Sequence, residues 1–249
     1  MCQAIVKSAG LTIAKSKLKC AWDSNPHGAG FAYLSESRVR IEKGFFNFKS
    51  FWKAYRAVQH LDVLIHFRFA THGDQTPENC HPFELGEDSA IIHNGILDRF
   101  LPRGKDERSD TRVFVEDLLN PTLATVPHST HAFLSDELTQ RTLENLIGYS
   151  KLAALTPEGF ALVNEELGTW DSKGVWWSAG IPRRWANQGL DFDFGCTDTE
   201  DRTYWNALAQ EFRTPIQDDD WCELCDQPSS RLYQIGADMV CRDCWGEYI

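Results

Sequence analysis

Two Cys-x2-Cys pairs lie within the last 28 residues of the 249-residue chain, and they constrain its folding more than any other sequence feature. The four thiols belong to Cys222, Cys225, Cys241 and Cys244. The 15 residues between the pairs fall within the spacing typical of a structural zinc site. A segment this short buries too little apolar surface to fold alone, so we expect Zn²⁺ to supply the missing folding free energy.

The segment between the two pairs predicts a short hairpin, with Arg231–Gln234 and Asp238–Val240 flanking Gly236. Such a hairpin would bring the pairs together in a zinc-ribbon or treble-clef-like module over residues 219–249. Four thiolates would also accept iron, and four reduced cysteines without a metal remain the alternative. Residues 219–249 carry seven acidic and two basic side chains, so we expect protein contact or stabilisation, and direct binding of nucleic acid is disfavoured.

The acidic charge of the chain is unevenly distributed. Of a formal net charge of −11, residues 183–249 contribute −8 and the first 182 residues −3. We therefore predict a main domain over 2–182, an acidic connector with one short helix over 183–218, and the cysteine module over 219–249. No apolar run reaches the roughly 18 residues of a membrane span, and the N-terminus lacks the apolar stretch of a signal peptide. These observations predict a cytoplasmic protein with no membrane partner, in which unpaired cysteines are expected.

Strands and helices are mixed in the first 182 residues. Predicted strands are 63–70, 90–92 running into a tight turn at Asn94-Gly95, the hairpin 151–155 with 160–164, and 174–178. Predicted helices are 50–60, 110–119 and 135–147, each with a serine at or just before its start and the last followed by Gly148. Because strands outnumber a few amphipathic helices, the pattern predicts an α+β domain with helices covering its sheet layers.

Cys2 directly follows the initiator methionine. Aminopeptidases remove methionine before a small residue, so we expect Cys2 to become the first residue of the mature chain. A terminal cysteine carries its own general base, because an α-amino group titrates near pH 7.7–8.0 and a thiol near 8.5. A cysteine at position 2 is by itself more often incidental, and the other single cysteines, Cys20, Cys80 and Cys196, are expected to be small buried residues.

Several short strings follow Cys2 in a specific order. They are Asn25-Pro-His-Gly-Ala-Gly30, His66-Phe-Arg-Phe-Ala-Thr-His-Gly73, Asn79-Cys-His-Pro82, His93-Asn-Gly95 and Ser109-Asp-Thr111. In this order and spacing, residues 2–182 resemble the class II glutamine amidotransferases, a family of N-terminal-nucleophile hydrolases. The resemblance implies a four-layer αββα sandwich and an enzyme that releases ammonia from glutamine.

The resemblance also assigns roles to individual residues. It implies that Cys2 attacks the amide carbon of glutamine, and that the Asn94 side chain and the Gly95 N–H bind the oxyanion. Arg68 would bind the α-carboxylate and Asp110 the α-ammonium of glutamine, because a free amino acid offers one charge of each sign. The resemblance further implies that Thr71 and His72 line the substrate pocket.

Each of these residues also has a purely structural interpretation. Arg68 could form a buried ion pair, Asn94-Gly95 could be only a hairpin turn, and Asp110 could favour the start of its helix through the helix dipole. A metal site formed by His72, His81 and His93 is a further alternative, which their positions on separate segments disfavour.

The chain departs from the family pattern in two respects. Gln3 follows the nucleophile where the family often has glycine, and no synthase or transferase domain follows residue 182. We therefore expect a glutaminase that delivers ammonia to a separate acceptor synthase or transferase. Two alternatives stay open: an N-terminal-nucleophile hydrolase of another amide, and a catalytically silent, zinc-bearing interaction protein.

Overall fold

The computed structural model describes residues 2–70 and 73–180, together with the backbone of 232–235 and 238–241. The chain divides into two compact units, Met1–Arg184 and Trp185–Ile249. The boundaries predicted at 183 and 219 stay predictions. None of the helices in the described ranges is long and apolar enough to cross a membrane.

The first unit contains a larger, antiparallel sheet. In chain order its strands are β1 (Gln3–Lys7), β2 (Ala29–Ser35), β3 (Arg38–Phe45), β4 (Val63–Phe67), β9 (Thr169–Trp170) and β10 (Trp176–Trp177). Their order across the sheet is β3-β2-β4-β1-β10-β9. All five residues of β1 are buried, and Gln3 pairs with Phe67 while Ile5 pairs with Trp177. The residue that precedes β1, Cys2, therefore lies at the end of an interior strand.

A smaller antiparallel sheet lies within the same unit. It contains β5 (Phe83–Leu85), β6 (Ser89–Asn94), β7 (Lys151–Thr156) and β8 (Gly159–Val163), in that order across the sheet. β6 is buried along its whole length and ends at Asn94. The predicted hairpin of 151–155 with 160–164 is confirmed as β7 and β8.

Helices complete the first unit. They are α1 (Lys15–Asp23), α2 (Phe48–Val58), α3 (Asp110–Phe114), a π-helical turn (Val115–Leu119), α4 (Asn120–Leu123), α5 (Thr130–Ser135) and α6 (Glu137–Ile147). The predicted Ser109 cap is confirmed, because its hydroxyl accepts the Arg112 N–H, and Gly148 follows α6 with a φ of +58°. Two other predicted starts are wrong. Asn47 caps α2 and Asp136 caps α6, since their side-chain oxygens are the ones that accept the backbone N–H three residues on.

Three buried clusters separate the layers of this unit. One packs α1 and α2 against the larger sheet, and it is rich in aromatic side chains such as Phe51 and Trp177. A second, mostly aliphatic cluster packs the helices from α3 to α6 against the smaller sheet. The third lies between the sheets and contains small residues such as Ala4, Ala32 and Ala153. The order helix, sheet, sheet, helix is the α+β layering expected from the sequence.

The second unit is described only at two strands. β11 (Leu232–Ile235) and β12 (Asp238–Cys241) pair antiparallel, with Leu232 opposite Cys241. This is the predicted hairpin, with bounds shifted by one residue. The short helix predicted within 183–218 lies outside the described residues.

Candidate active site

The Cys2 thiol is held by the backbone of the segment that follows β4. Its Sγ lies 3.2 Å from the Phe69 nitrogen, which donates to it, and 3.4 Å from the Phe69 oxygen, to which the thiol donates. Burial raises the pKa of the Cys2 thiol, and the Phe69 N–H and the charge of Arg68 act in the opposite direction. The thiol is therefore protonated near neutral pH, and its attack on a carbonyl carbon requires a base.

Phe69 itself is fixed by a residue of the Asn25–Gly30 string. His27 Nδ1 accepts the Ala70 N–H at 3.0 Å, and the imidazole packs against the Phe69 ring with centroids 4.8 Å apart. The backbone N–H of His27 also donates to the carbonyl oxygen of Arg68. These contacts hold the segment after β4 in the conformation that faces Cys2.

Asn94 ends β6 with a buried side chain. Its Nδ2 lies 2.8 Å from Ser178 Oγ, and its Oδ1 has no hydrogen-bond partner among the described residues. Sequence reasoning missed Ser178, which lies 84 residues further along the chain and carries no motif. The contact connects a strand of the smaller sheet to the end of β10 in the larger one.

Gly95 has a backbone conformation that only glycine adopts without strain. Its φ is +147°, and an added β-carbon would lie 2.6 Å from Ser150 Cβ. Asn94-Gly95 does not close a hairpin, because the chain continues into a 3₁₀ turn at Asp98–Phe100. The alternative of a mere hairpin turn at Asn94-Gly95 is therefore wrong, whereas the predicted strand does end at Asn94 and the chain bends at Gly95. The close approach of Ser150 fixes the backbone that would present the Gly95 N–H.

Arg68 is buried at the end of β4, and two of its N–H groups bind backbone carbonyls. Nη1 donates to the Asp74 oxygen at 2.9 Å, and Nη2 donates to the Gly73 oxygen at 3.1 Å. Asn79, which sequence reasoning also left without a role, supports the same loop by donating to the Asp74 and Glu107 oxygens. Arg68 therefore shapes the loop beyond β4, and its predicted contact with a substrate carboxylate stays a prediction.

Asp110 opens α3 and is also tied to the chain that leaves β6. Its Oδ2 accepts the Leu97 N–H at 2.8 Å, and its Oδ1 accepts the N–H of Thr111. The contact within the first turn matches the helix-start interpretation, whereas the contact with Leu97 reaches the loop after Gly95. Its predicted role as the ligand of an α-ammonium stays a prediction.

Three buried histidines lie close to one another: His66 on β4, His81 in the segment before β5, and His93 on β6. His66 Nε2 lies 2.9 Å from the His93 oxygen, and His93 Nδ1 lies 2.8 Å from Thr111 Oγ1. The rings of His66 and His81 have centroids 4.0 Å apart. Burial lowers the pKa of His66 to about 3 and that of His93 to about 4, and it holds the pKa of His81 well below its ordinary value. All three rings are therefore neutral near pH 7.

Some predicted site residues fall outside this description. Thr71 and His72 lie outside the described residues, as do Cys222, Cys225 and Cys244, and Cys241 is described only as the last backbone position of β12. Within the part of the chain that the structure describes, no three His, Cys, Asp or Glu side chains are placed to hold a metal ion. The predicted zinc site is thus not tested here.

Comparisons with known proteins give partial matches. No protein-family model matches the chain. It is 36% identical over 94 residues to glutamine–fructose-6-phosphate aminotransferase from Halobacterium salinarum, covering 35% of this chain and 15% of that protein. The same-named enzyme of Aquifex aeolicus is 31% identical over 144 residues, covering 48% of this chain and 24% of that protein. The chain therefore matches less than a quarter of the length of these relatives.

Two solved structures are also similar. Glutamine phosphoribosylpyrophosphate amidotransferase from B. subtilis has 15% identity and a TM-score of 0.47, covering 72% of this chain and 42% of that one. A glutamine aminotransferase class-II domain protein from Silicibacter pomeroyi has 17% identity and a TM-score of 0.37, covering 71% of this chain and 87% of that one. Because both TM-scores are below 0.5, the fold of this chain is assigned from its own strand order and layers. The sequence similarity to the glutamine–fructose-6-phosphate aminotransferases supports the family to which the motifs point, and it is consistent with an enzyme of the class II glutamine amidotransferase type.

Proposed function

We propose that this protein is a class II glutamine amidotransferase of the glutaminase type, which hydrolyses the side-chain amide of glutamine and supplies ammonia to a separate acceptor enzyme. One observation carries the proposal. Cys2 lies at the end of the interior strand β1, and Ser178 connects that strand to Asn94, which adjoins Gly95. The proposed nucleophile and the proposed oxyanion donors thus belong to two sheets that the contacts of Ser178 connect.

The proposed reaction begins with proton transfer from the Cys2 thiol to the α-amine, which is free once Met1 has been removed. Sγ then bonds to the amide carbon, and the carbonyl π electrons move to oxygen, where the Asn94 amide and the Gly95 N–H stabilise the charge. Collapse of this intermediate breaks the C–N bond, and the α-ammonium returns its proton to the departing ammonia. Water then attacks the γ-glutamyl thioester, which releases glutamate and regenerates the thiol.

The burial of Cys2, which raises the pKa of its thiol in the chain that carries Met1, gives a reason for a base at this residue. A thiol that is protonated near neutral pH must lose its proton during the attack, and an α-amine in the same residue needs no second side chain to be positioned. Arg68 and Asp110 complete the proposal as groups that select a free amino acid, with Thr71 and His72 lining the pocket.

Purified chain lacking Met1 should convert glutamine to glutamate and ammonia, and Cys2→Ala should abolish the reaction. Mass spectrometry of the N-terminus establishes whether Met1 has been removed. Glutamine turnover that survives in Cys2→Ala would contradict the mechanism. Turnover of another amide, with none of glutamine, would favour the hydrolase alternative, and a lack of covalent adduct with a γ-glutamyl electrophile would favour the silent interaction protein.

We further propose that Cys222, Cys225, Cys241 and Cys244 bind one structural Zn²⁺. The support is the hairpin of β11 and β12. Its pairing places Cys241 opposite Leu232, which lies seven positions after Cys225 in the sequence. Bound zinc would stabilise the module and take no part in the reaction. Metal analysis of the full chain should give one zinc per molecule, and Cys225→Ser should lower this content, whereas Cys20→Ser should not.

A further inference from the structure

Ser178 is a buried residue that immediately follows β10, and two hydrogen bonds fix it to β1. Its N–H donates to the Ala4 oxygen at 3.0 Å, and its Oγ accepts the Ala4 N–H at 2.8 Å. Ala4 lies two residues after Cys2, on the interior strand of the larger sheet. The Ser178 hydroxyl therefore has a fixed position relative to the strand that carries the nucleophile.

The same hydroxyl contacts the amide of Asn94 across the two sheets, with Oγ and Nδ2 2.8 Å apart. Asn94 Oδ1 is buried and has no partner among the described residues. The nitrogen and oxygen of a side-chain amide have nearly the same shape, so the hydrogen-bond network decides which of them faces which neighbour.

The network favours the amide turned by 180°. Ser178 Oγ can accept from both the Ala4 N–H and Asn94 Nδ2, but its own O–H then has no acceptor in the described contacts, whereas the turned amide lets that O–H donate to Asn94 Oδ1. This orientation gives the buried oxygen a partner. It also moves the N–H₂ group to the position now held by the unpartnered oxygen, where it has no protein acceptor in the described contacts and stays available to an anion.

We propose that Ser178 is a positioning residue of the oxyanion site, whose hydroxyl donates to Asn94 Oδ1 and thereby turns the amide N–H₂ toward the tetrahedral intermediate. The inference depends on the proposed function, because it assigns Ser178 a role in the same reaction. Ser178 acts through Asn94 and need not contact glutamine. Its loss therefore slows the chemical step and leaves ground-state binding of glutamine largely intact.

The first test measures glutamine turnover by the full chain without Met1 and by Ser178→Ala. We expect kcat to fall roughly tenfold to hundredfold, with KM for glutamine within about threefold of wild type. Ser178→Thr, which keeps the hydroxyl, should recover most of the rate. The matched control is Ser89→Ala, because Ser89 is a buried serine at the other end of the strand that Asn94 ends, and its hydroxyl bonds only Asp88 in the described contacts.

A second measurement separates an effect on Asn94 from a displacement of Cys2. Alkylation of Cys2 by iodoacetamide develops no oxyanion, so Ser178→Ala should keep its rate within about twofold of wild type. In an Asn94→Ala background, Ser178→Ala should cause no further loss of glutamine turnover. Slowed alkylation, or a further loss of turnover in that background, would show that Ser178 acts through Cys2 and would overturn the inference.

The outcomes also separate this inference from the function on which it depends. A wild-type chain that is free of Met1 and does not turn over glutamine would overturn both. A wild-type chain that turns over glutamine, with Ser178→Ala equal to it in kcat, would overturn the role of Ser178 alone. Thermal denaturation of each variant shows that the compared proteins are folded.

Discussion

Cys2 and Asn94 belong to different sheets, and the contacts that hold them differ in kind. Cys2 adjoins a strand paired on both sides, and its thiol meets the backbone of Phe69. The main chain of Asn94 also pairs, with Lys151 of β7, but its side-chain amide and the residues after it are held by side chains, including those of Ser178, Ser150 and Asp110. Main-chain pairing tolerates most substitutions, whereas each side-chain contact depends on one residue type. We infer that single substitutions damage the oxyanion side of the site more selectively than the nucleophile side.

The largest expected effect is a loss of stability in acid, since three buried histidines lie close to one another. Below about pH 6.5 the unfolded chain binds protons that neutral His66, His81 and His93 do not, so the free energy of unfolding falls as pH drops toward about 4. Above pH 6.5 these residues add no pH dependence. Each contributes a slope of about 1.4 kcal/mol per pH unit in this window. Urea denaturation between neutral pH and about pH 5 measures the sum.

His81→Gln should make the dependence of the unfolding free energy on pH less steep, by the contribution of one histidine. The matched control is His60→Gln, because His60 is exposed. An equal slope in wild type and His81→Gln would show that the buried rings do not control the acid response. The acid response would then be assigned to other titratable groups.

The next largest effect is expected at Gly95. Alanine there would meet Ser150 and strain a φ of +147°, so the Gly95 N–H would move from its position. Loss of one oxyanion donor typically costs about 3–4 kcal/mol of barrier, so we expect glutamine turnover to fall at least about a hundredfold. Steady-state kinetics of Gly95→Ala measures the loss.

Gly159→Ala is the matched control for this variant. Gly159 has a similar φ of +132°, but an added β-carbon there would meet nothing within 4 Å. It should therefore lose stability through backbone strain and keep its glutaminase rate. Equal rates for the two variants would mean that crowding against Ser150 does not matter to the site.

The smallest effect is expected for Asp110→Asn. The Asn side chain has one acceptor oxygen, so it cannot accept both N–H groups that the carboxylate accepts now, and we expect a loss of about 1–2 kcal/mol in stability. If Asp110 also binds an α-ammonium, KM for glutamine should rise roughly tenfold. Asp136→Asn is the control, because Asn caps a helix as well as Asp does. An unchanged KM would limit Asp110 to its structural contacts.

The sequence predicted those parts of the site whose residues are adjacent in the chain and form recognisable motifs. Asn94-Gly95 and Ser109-Asp110 carry recognisable residue patterns, and the structure places them at the end of β6 and the start of α3. Ser178 could not be predicted, because its contact with Ala4 spans 174 positions and depends on the register of a two-residue strand. Turns and caps are set by neighbouring residues, whereas contacts between sheets are set by packing over the whole domain.

That two-residue strand has an optical consequence. Trp176 and Trp177 are adjacent, so their indoles point to opposite faces of the larger sheet, one into the layer between the sheets and the other into the layer beneath the helices. A slip of the strand by one residue would move each ring into the other layer. The fit of the two rings therefore fixes the register of β10, and with it the position of the next residue, Ser178. Because the chain has nine tryptophans, the difference in fluorescence between the wild type and Trp176→Phe, or between the wild type and Trp177→Phe, would report on the loosening of each layer separately. The dipeptide beside the nucleophile strand is in this way a built-in pair of spectroscopic probes.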